Sequence, residues 1–539
     1  MIVQKRKVFN MENNNFIKYV FAIIVICLIG YTFYVITQNN TQEENVSLDQ
    51  TSTVSTIQTD LRLAIAELDT INPILSNNRN VQEVTKIIYD PLVTLNENYK
   101  LEYCLAEEIA KIDDLNYVIK LRNGVLWENN TNFTADDVRF TIDLIKSDEV
   151  NSIYKENLKY LINLEKVDSS TIKLTLSQPV PFFEYNLTFP IMCESYYAGE
   201  DFVNSEKVPI GTGMFRIAEY ANNVIKLVKN ENYWNTNNLP TVTEVYINLY
   251  GTMGEVYNAF KSGDIDLIVA KNINIEQYIG TLGYNKVEYK AREYDFLALN
   301  TNHQILSNSA VRKALSLSID KNALVATCLG NGYVSSNFSL DMGNWLYTKD
   351  LNIAIDTEQA RQILLNDGWV QTNNSWSKII NGQNIRLAFT ITVNSNNAIR
   401  VAAAENIKNQ LANFGIPITV KQVSPENYSN ILNNRGYEIV LAGIEVGFSP
   451  NVETFFGVNN IANYQNQEVL EIMNTVKNTT DDNILYEKYA RLYDIYLEEV
   501  PYIGLYRNTN CIVYNQSLVG NIRPNLFNIY HNIEKWYRQ

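Results

Sequence analysis

The stretch Tyr117 to Ile145, YVIKLRNGVLWENNTNFTADDVRFTIDLI, constrains the fold more than any other part of the chain. Tyr117, Ile119 and Leu121 alternate with Val118, Lys120 and Arg122, the period of a strand. Asn123-Gly124 breaks that strand, and Phe133-Thr134 opens a helix. A threonine side chain at this place accepts a hydrogen bond from the first turn, Asp137 stands at the third helical position, and Phe133 can staple against Val138. Each signal is local and has a structural explanation; their order carries the information.

The rest of the body repeats this mixture. From Ile57 onward strands and helices alternate to the end, which predicts an α/β or mixed α+β chain. Asp356-Thr357-Glu358-Gln359 is a capping box whose helix closes at Asn366-Asp367-Gly368. A helix from about Asn397 to Phe414 stops at Gly415. Ser424-Pro425 opens another, with proline at the first helical position, and Asp481 to Glu499 forms a third. Phe215 to Tyr220 and Val224 to Lys229 read as hairpin arms around Asn222-Asn223. At 539 residues the chain is long enough for two or three domains.

The N-terminus sets a location. Residues 19–36, YVFAIIVICLIGYTFYVI, carry no charge. At ~1.5 Å per residue such a run crosses a bilayer core of about 30 Å. Lys5, Arg6, Lys7 and Lys18 precede it and Glu43, Glu44 and Asp49 follow, so residues 1–18 are expected in the cytoplasm and the body outside. Ile24, Val25 and Ile26 fit poorly before a lipidated cysteine, so an uncleaved anchor is expected in preference to a lipoprotein held at Cys27. Residues 37–57 are polar, lack periodicity and read as a flexible stalk. The net charge of −15 argues against nucleic acid as the partner. Cys104, Cys193, Cys328 and Cys511 show no CxxC spacing and read as small buried hydrophobes.

Nothing in the residues supports catalysis. The two histidines, His303 and His531, stand alone, and no HExxH, GxSxG or Walker pattern occurs. No cofactor is expected, and bare Ni²⁺ would find too few imidazoles. Most tyrosines, as in LYEKYARLYDIYL (Leu485 to Leu497), fall at core spacing.

LRNGV, an aromatic, a polar turn and TADDV together resemble family 5 extracytoplasmic solute-binding proteins, the oligopeptide and dipeptide receptors of ABC importers. The resemblance continues in order through PIGTGMFRIAEY, NENYW, EVYNAFKSGDIDLI, FLALNTN with VRKALSLSIDKNALV, ILLNDGW, IKNQLANFGIPITV and EEVPYIGLY. It implies two hinged lobes that enclose a ligand: residues 58–91, 207–294 and 500–539 as the first, 295–499 as the second, and 92–206 as an inserted subdomain. It also implies permease subunits as partners and a peptide or other small solute as ligand, with no chemical step. A ligand-sensing module for a membrane partner, or a receptor for a non-peptide solute, is the alternative.

In peptide-binding members the strand end matching LAGIEVGFSPNVETFF (Leu441 to Phe456) carries a tryptophan and an aspartate that holds the peptide α-ammonium. Here Ile444 and Gly447 occupy those places. Glu445, two residues before Gly447, either supplies the carboxylate from a displaced position or is a solvated strand residue. Further contacts implied by the resemblance are Thr212, Gly213 and Met214 at the glycine turn, Tyr294 and Phe296 on the crossing strand, and Phe448. Packing or hinge geometry explains each at least as well.

Overall fold

The computed structural model describes residues 59–271, 283–349, 351 and 353–539. The basic segment, the apolar run at 19–36 and the proposed stalk lie outside the described residues. Among the described residues no helix is long and apolar enough to cross a membrane. Residues 57–539 cluster as one unit.

Three sheets of four or more strands organise this unit, beside smaller ones. In the first, Asp60–Ala66 pairs in parallel with Glu244–Tyr250, followed by the antiparallel hairpin Val224–Lys229 and Phe215–Ala221. Asn222 and Asn223 both take positive φ, 53° and 60°, the tight-turn geometry expected of such a pair. The second sheet is antiparallel in the order Ala106–Lys111, Asn116–Leu121, Thr171–Leu176, Leu161–Lys166. The helix Ala135–Lys146 shares one hydrophobic core with this sheet through Val138, Ile142 and Ile145. Its capping box forms as the sequence predicts: the Thr134 amide donates to Asp137 at 2.8 Å. Asp137 does more than cap. It also accepts from Trp127 Nε1 (3.2 Å) and from the Glu194 amide (2.8 Å), and so ties the aromatic, the helix start and the chain at Glu194.

The third sheet has seven strands. Its main path runs Leu267–Lys271, Tyr502–Asn515, Tyr284–Leu299, Ile439–Glu445, Phe389–Asn394, Ile418–Val423, with Tyr333–Ser335 also on Tyr502–Asn515. The last three strands of the path are parallel, the others antiparallel. The helix between its parallel strands, Ala398–Phe414, ends at Gly415 with φ 96°. Pro425–Asn433 and Asp482–Glu499 also start where the capping residues place them.

Tyr284–Leu299 and Tyr502–Asn515 are the two longest strands, and the first runs straight through the 294/295 boundary expected from the sequence. Their ladder slips between Lys290 and Tyr294 and again between Asp295 and Phe296. Bulges of this kind unpair residues, bend the strand and re-aim side chains. Tyr489, Tyr493 and Tyr496 of the C-terminal helix are buried in an aromatic core with Phe338, Phe455 and Tyr502. Core packing accounts for them, as their spacing predicts.

Candidate functional site: a cleft beside the crossing strands

A cleft of about 490 Å³ opens where three parts of the chain meet. One wall is Asn77, Arg79, Gln82, Glu83 and Lys86, from the helix Arg79–Thr85 and its flanks. Tyr154, Tyr185 and Asn186 contribute from a second part of the chain, and Arg292, Glu293, Glu445, Gly447 and Phe448 from a third. A larger cavity of about 700 Å³ adjoins it, sharing Gln82, Lys86, Tyr154, Thr188 and Phe527.

The bulge explains how Arg292 and Glu293 reach the cleft. Lys290 pairs with Thr509 and Tyr294 with Arg507, so Ala291, Arg292 and Glu293 have a single opposing residue between those pairs. Arg292 and Glu293 are thereby delivered to the cleft. Arg292 Nη1 pairs with Glu445 at 3.0 Å, its Nε donates to the Val446 carbonyl at 2.7 Å, and the guanidinium lies 4.6 Å over Phe448. Phe448 in turn packs on Tyr99 and Phe527. The Glu445 side chain is 65% exposed, so its pair with Arg292 is largely screened. Burial pushes the Arg292 guanidinium below its ordinary basicity; Glu445 opposes that shift and the charge of Arg79 adds to it.

Of the residues singled out from sequence, Glu445, Gly447 and Phe448 line this cleft and Ile444 sits half-buried behind them. Met214 lines the adjoining cavity. The others have packing roles in this structure. Tyr294 and Phe296 are fully buried, stacked at 5.6 Å in the aromatic core, with Arg507 4.7 Å over the Tyr294 ring. Neither lines the cleft.

Thr212 and Gly213 belong to a structural knot instead. Thr212 Oγ1 donates to Asp90 at 3.1 Å and Trp234 Nε1 donates to the same oxygen at 2.8 Å. Burial pushes the Asp90 carboxyl above its ordinary range, and these donors, with the Cys104 thiol, pull it back toward the charged form. Three segments separated in sequence, residues 89–92, 211–213 and 233–234, thus meet on one carboxylate. Glycine is required here by proximity. A Cβ on Gly211 would overlap the Ile88 carbonyl, and one on Gly213 would approach it to 2.6 Å. Gly211→Ala is therefore expected to destabilise the protein by about 1–3 kcal/mol, toward the upper end because the obstacle is backbone. Urea unfolding reads this as a lowered midpoint; an unchanged midpoint would mean the turn relaxes freely.

Arg79, Lys86, Arg292 and Phe527 have no distinguishing sequence signal. Arg79 sits in an asparagine-rich run, and Arg292 reaches the cleft only because of a bulge that local pattern does not announce.

No cluster of three or more potential metal ligands occurs among the described residues. Residues 100–465 match the bacterial extracellular solute-binding proteins, family 5, over the domain described as its middle part. The chain belongs to that family.

This family 5 protein is 23% identical over 506 residues to the oligopeptide-binding protein AppA of Bacillus subtilis (strain 168), covering 88% of this chain and 90% of AppA. It is 24% identical over 482 residues to the glutathione-binding protein GsiB of Escherichia coli (strain K12), covering 84% and 89%. Among solved structures, the periplasmic murein tripeptide-binding protein MppA in its unliganded open form matches with a TM-score of 0.74 at 18% identity, over 89% of this chain and 97% of MppA. The shared fold is the mixed α/β architecture of solute-binding proteins. As a member of a solute-binding family the protein is a binder and not an enzyme.

Proposed function

We propose that this protein is the membrane-anchored, extracytoplasmic substrate-binding component of an ABC importer, and that it captures peptides in the cleft by hinge closure. The observation that carries the reading is the cleft itself. Its walls come from the helix Arg79–Thr85, the inserted region and the end of the third sheet, and they meet beside two long strands that bulge at the same level. In this reading residues 58–91, 207–294 and 500–539 move as one lobe and 295–499 as the other, about a hinge at those bulges. The inserted subdomain is 92–206. Closure encloses the ligand, and the closed form is what permease subunits recognise. AppA, named for oligopeptides, and GsiB, named for glutathione, support a peptide or peptide-like ligand.

Small-angle scattering of the body should show a smaller radius of gyration once a peptide is bound. An unchanged radius at saturation would reject closure. A second reading, a solute with no α-ammonium, is favoured by one observation: Glu445 already has Arg292 as a partner, and Gly447 has no side chain to offer.

Anchoring rests on residues 19–36, with Ile24-Val25-Ile26 before Cys27. The intact mass of membrane-extracted protein should correspond to a chain that retains this segment. A mature form starting at a diacylated Cys27 would refute it.

A further inference from the structure

A cavity of about 340 Å³ lies apart from the cleft, and Tyr185 is the one lining residue the two share. One side is built by the strands Leu101–Tyr103, Ala106–Lys111 and Asn116–Leu121, with Phe182 and the start of the 3-10 helix Phe183–Leu187. Trp345 and the helices Gln467–Asn478 and Asp482–Glu499 build the other. The two sides already touch. Lys100 pairs with Asp482, Trp345 Nε1 donates to the Tyr185 hydroxyl at 3.0 Å, and Lys111 Nζ donates to the Lys477 carbonyl at 2.9 Å. Because the Tyr185 and Trp345 polar atoms satisfy each other, these two residues have ring surface to offer an occupant. Phe182 takes part from left-handed backbone, φ 54°, a conformation an aromatic residue holds only where its surroundings impose it. The volume is that of a small-molecule site.

Five charged residues belong to the lining. Lys100 and Asp482 pair with each other, and Lys111 pairs with Asp114 at 3.1 Å. Lys477 is half-buried, and its carbonyl holds Lys111. Glu184 is half-buried too, yet it makes no ion pair among the described residues. Burial pushes the Glu184 carboxyl above its ordinary range, and the charge of Lys111 offsets this only in part. A carboxylate that has lost water without gaining a counter-charge is costly, and an ammonium supplies both the charge and a strong donor. We propose that this cavity binds an aromatic amine, whose ammonium pairs with Glu184 and whose ring packs among Phe182, Tyr185 and Trp345. Such an occupant touches both sides at once. It therefore strengthens the junction that Lys100–Asp482 and Tyr185–Trp345 already make.

Tryptamine is the probe, with tryptophol as its uncharged twin and indole-3-propionate as its anionic one. Each is titrated by calorimetry into the full chain in detergent, against detergent alone. Tryptamine should bind about ten- to a hundredfold more tightly than either twin, the range expected for hydrogen bonds to a charged group. Glu184→Gln should abolish that preference and leave tryptophol binding as in the parent, a split that general unfolding cannot produce. Phe182→Gly removes the ring while suiting the left-handed backbone, so the fold should tolerate it. It should weaken tryptamine and tryptophol alike and keep their ratio. The proposal is overturned by equal binding of the three indoles, by a preference for the anion, or by no binding of any at millimolar concentration. A tryptamine preference that survives Glu184→Gln, or indole binding untouched by Phe182→Gly, places the amine elsewhere and overturns it as well.

Discussion

Arg507→Ala is expected to lower the stability of the folded body by about 3–5 kcal/mol, the usual consequence of removing one member of a buried ion pair. Arg507 is fully buried and its Nε donates to Asp341 at 2.8 Å. Its other nitrogens donate to the backbone: Nη1 to Ala291 at 3.3 Å, Nη2 to Phe338 at 3.3 Å and also to Ser339. One guanidinium therefore plugs the bulge between the crossing strands and fastens the 338–341 segment to it. Asp341 retains Ser336 and Lys290 when Arg507 is removed, but the three carbonyls lose this donor. Lysine cannot reproduce several donors in one plane, so Arg507→Lys should recover only part of the loss. Urea unfolding of both variants is the measurement. A loss below about 1 kcal/mol for the alanine variant would show that the plug is dispensable. Ala291 precedes Arg292 directly, so a loosened plug should also impair ligand binding.

How far such arrangements are legible in sequence depends on how local they are. The Asn222-Asn223 turn, the Thr134 cap and the stop at Gly415 are decided within a few residues, and the structure places them as the pattern predicts. The glycine turn at 211–213 was legible as a turn but not as a knot. Its glycines are demanded by the Ile88 carbonyl, whose pressure leaves no mark in the neighbouring residues. Tyr294 and Phe296 have the right position on the crossing strand for ligand contact. Strand alternation cannot say that both are enclosed by Phe455 and Tyr502. The cleft was the least legible part, since its two arginines come from distant segments and one of them is turned inward by a bulge.

The last expectation concerns the missing aspartate. If the ligand is a peptide, we propose that Glu445 exchanges Arg292 for the peptide's α-ammonium. The exchange is easy in the open cleft, where the Glu445–Arg292 pair contributes about 0–1 kcal/mol. Once closure removes water, an ammonium needs a charged acceptor, and a hydrogen bond to a charged group contributes about 1.5–3 kcal/mol. Glu445→Gln should thus weaken a free-amine peptide by about one to two decades and its N-acetylated twin hardly at all, as titration calorimetry would read. Gly447→Asp is the converse experiment. A Cβ at Gly447 meets nothing closer than Ser449 Oγ at 3.8 Å, so a side chain can start there without moving backbone. It should strengthen the free-amine peptide and restore binding to the Glu445→Gln protein. Equal binding of both peptides by parent and variants would remove Glu445 as the anchor. It would also leave Gly447 as the mark of a receptor whose ligand brings no ammonium to this point.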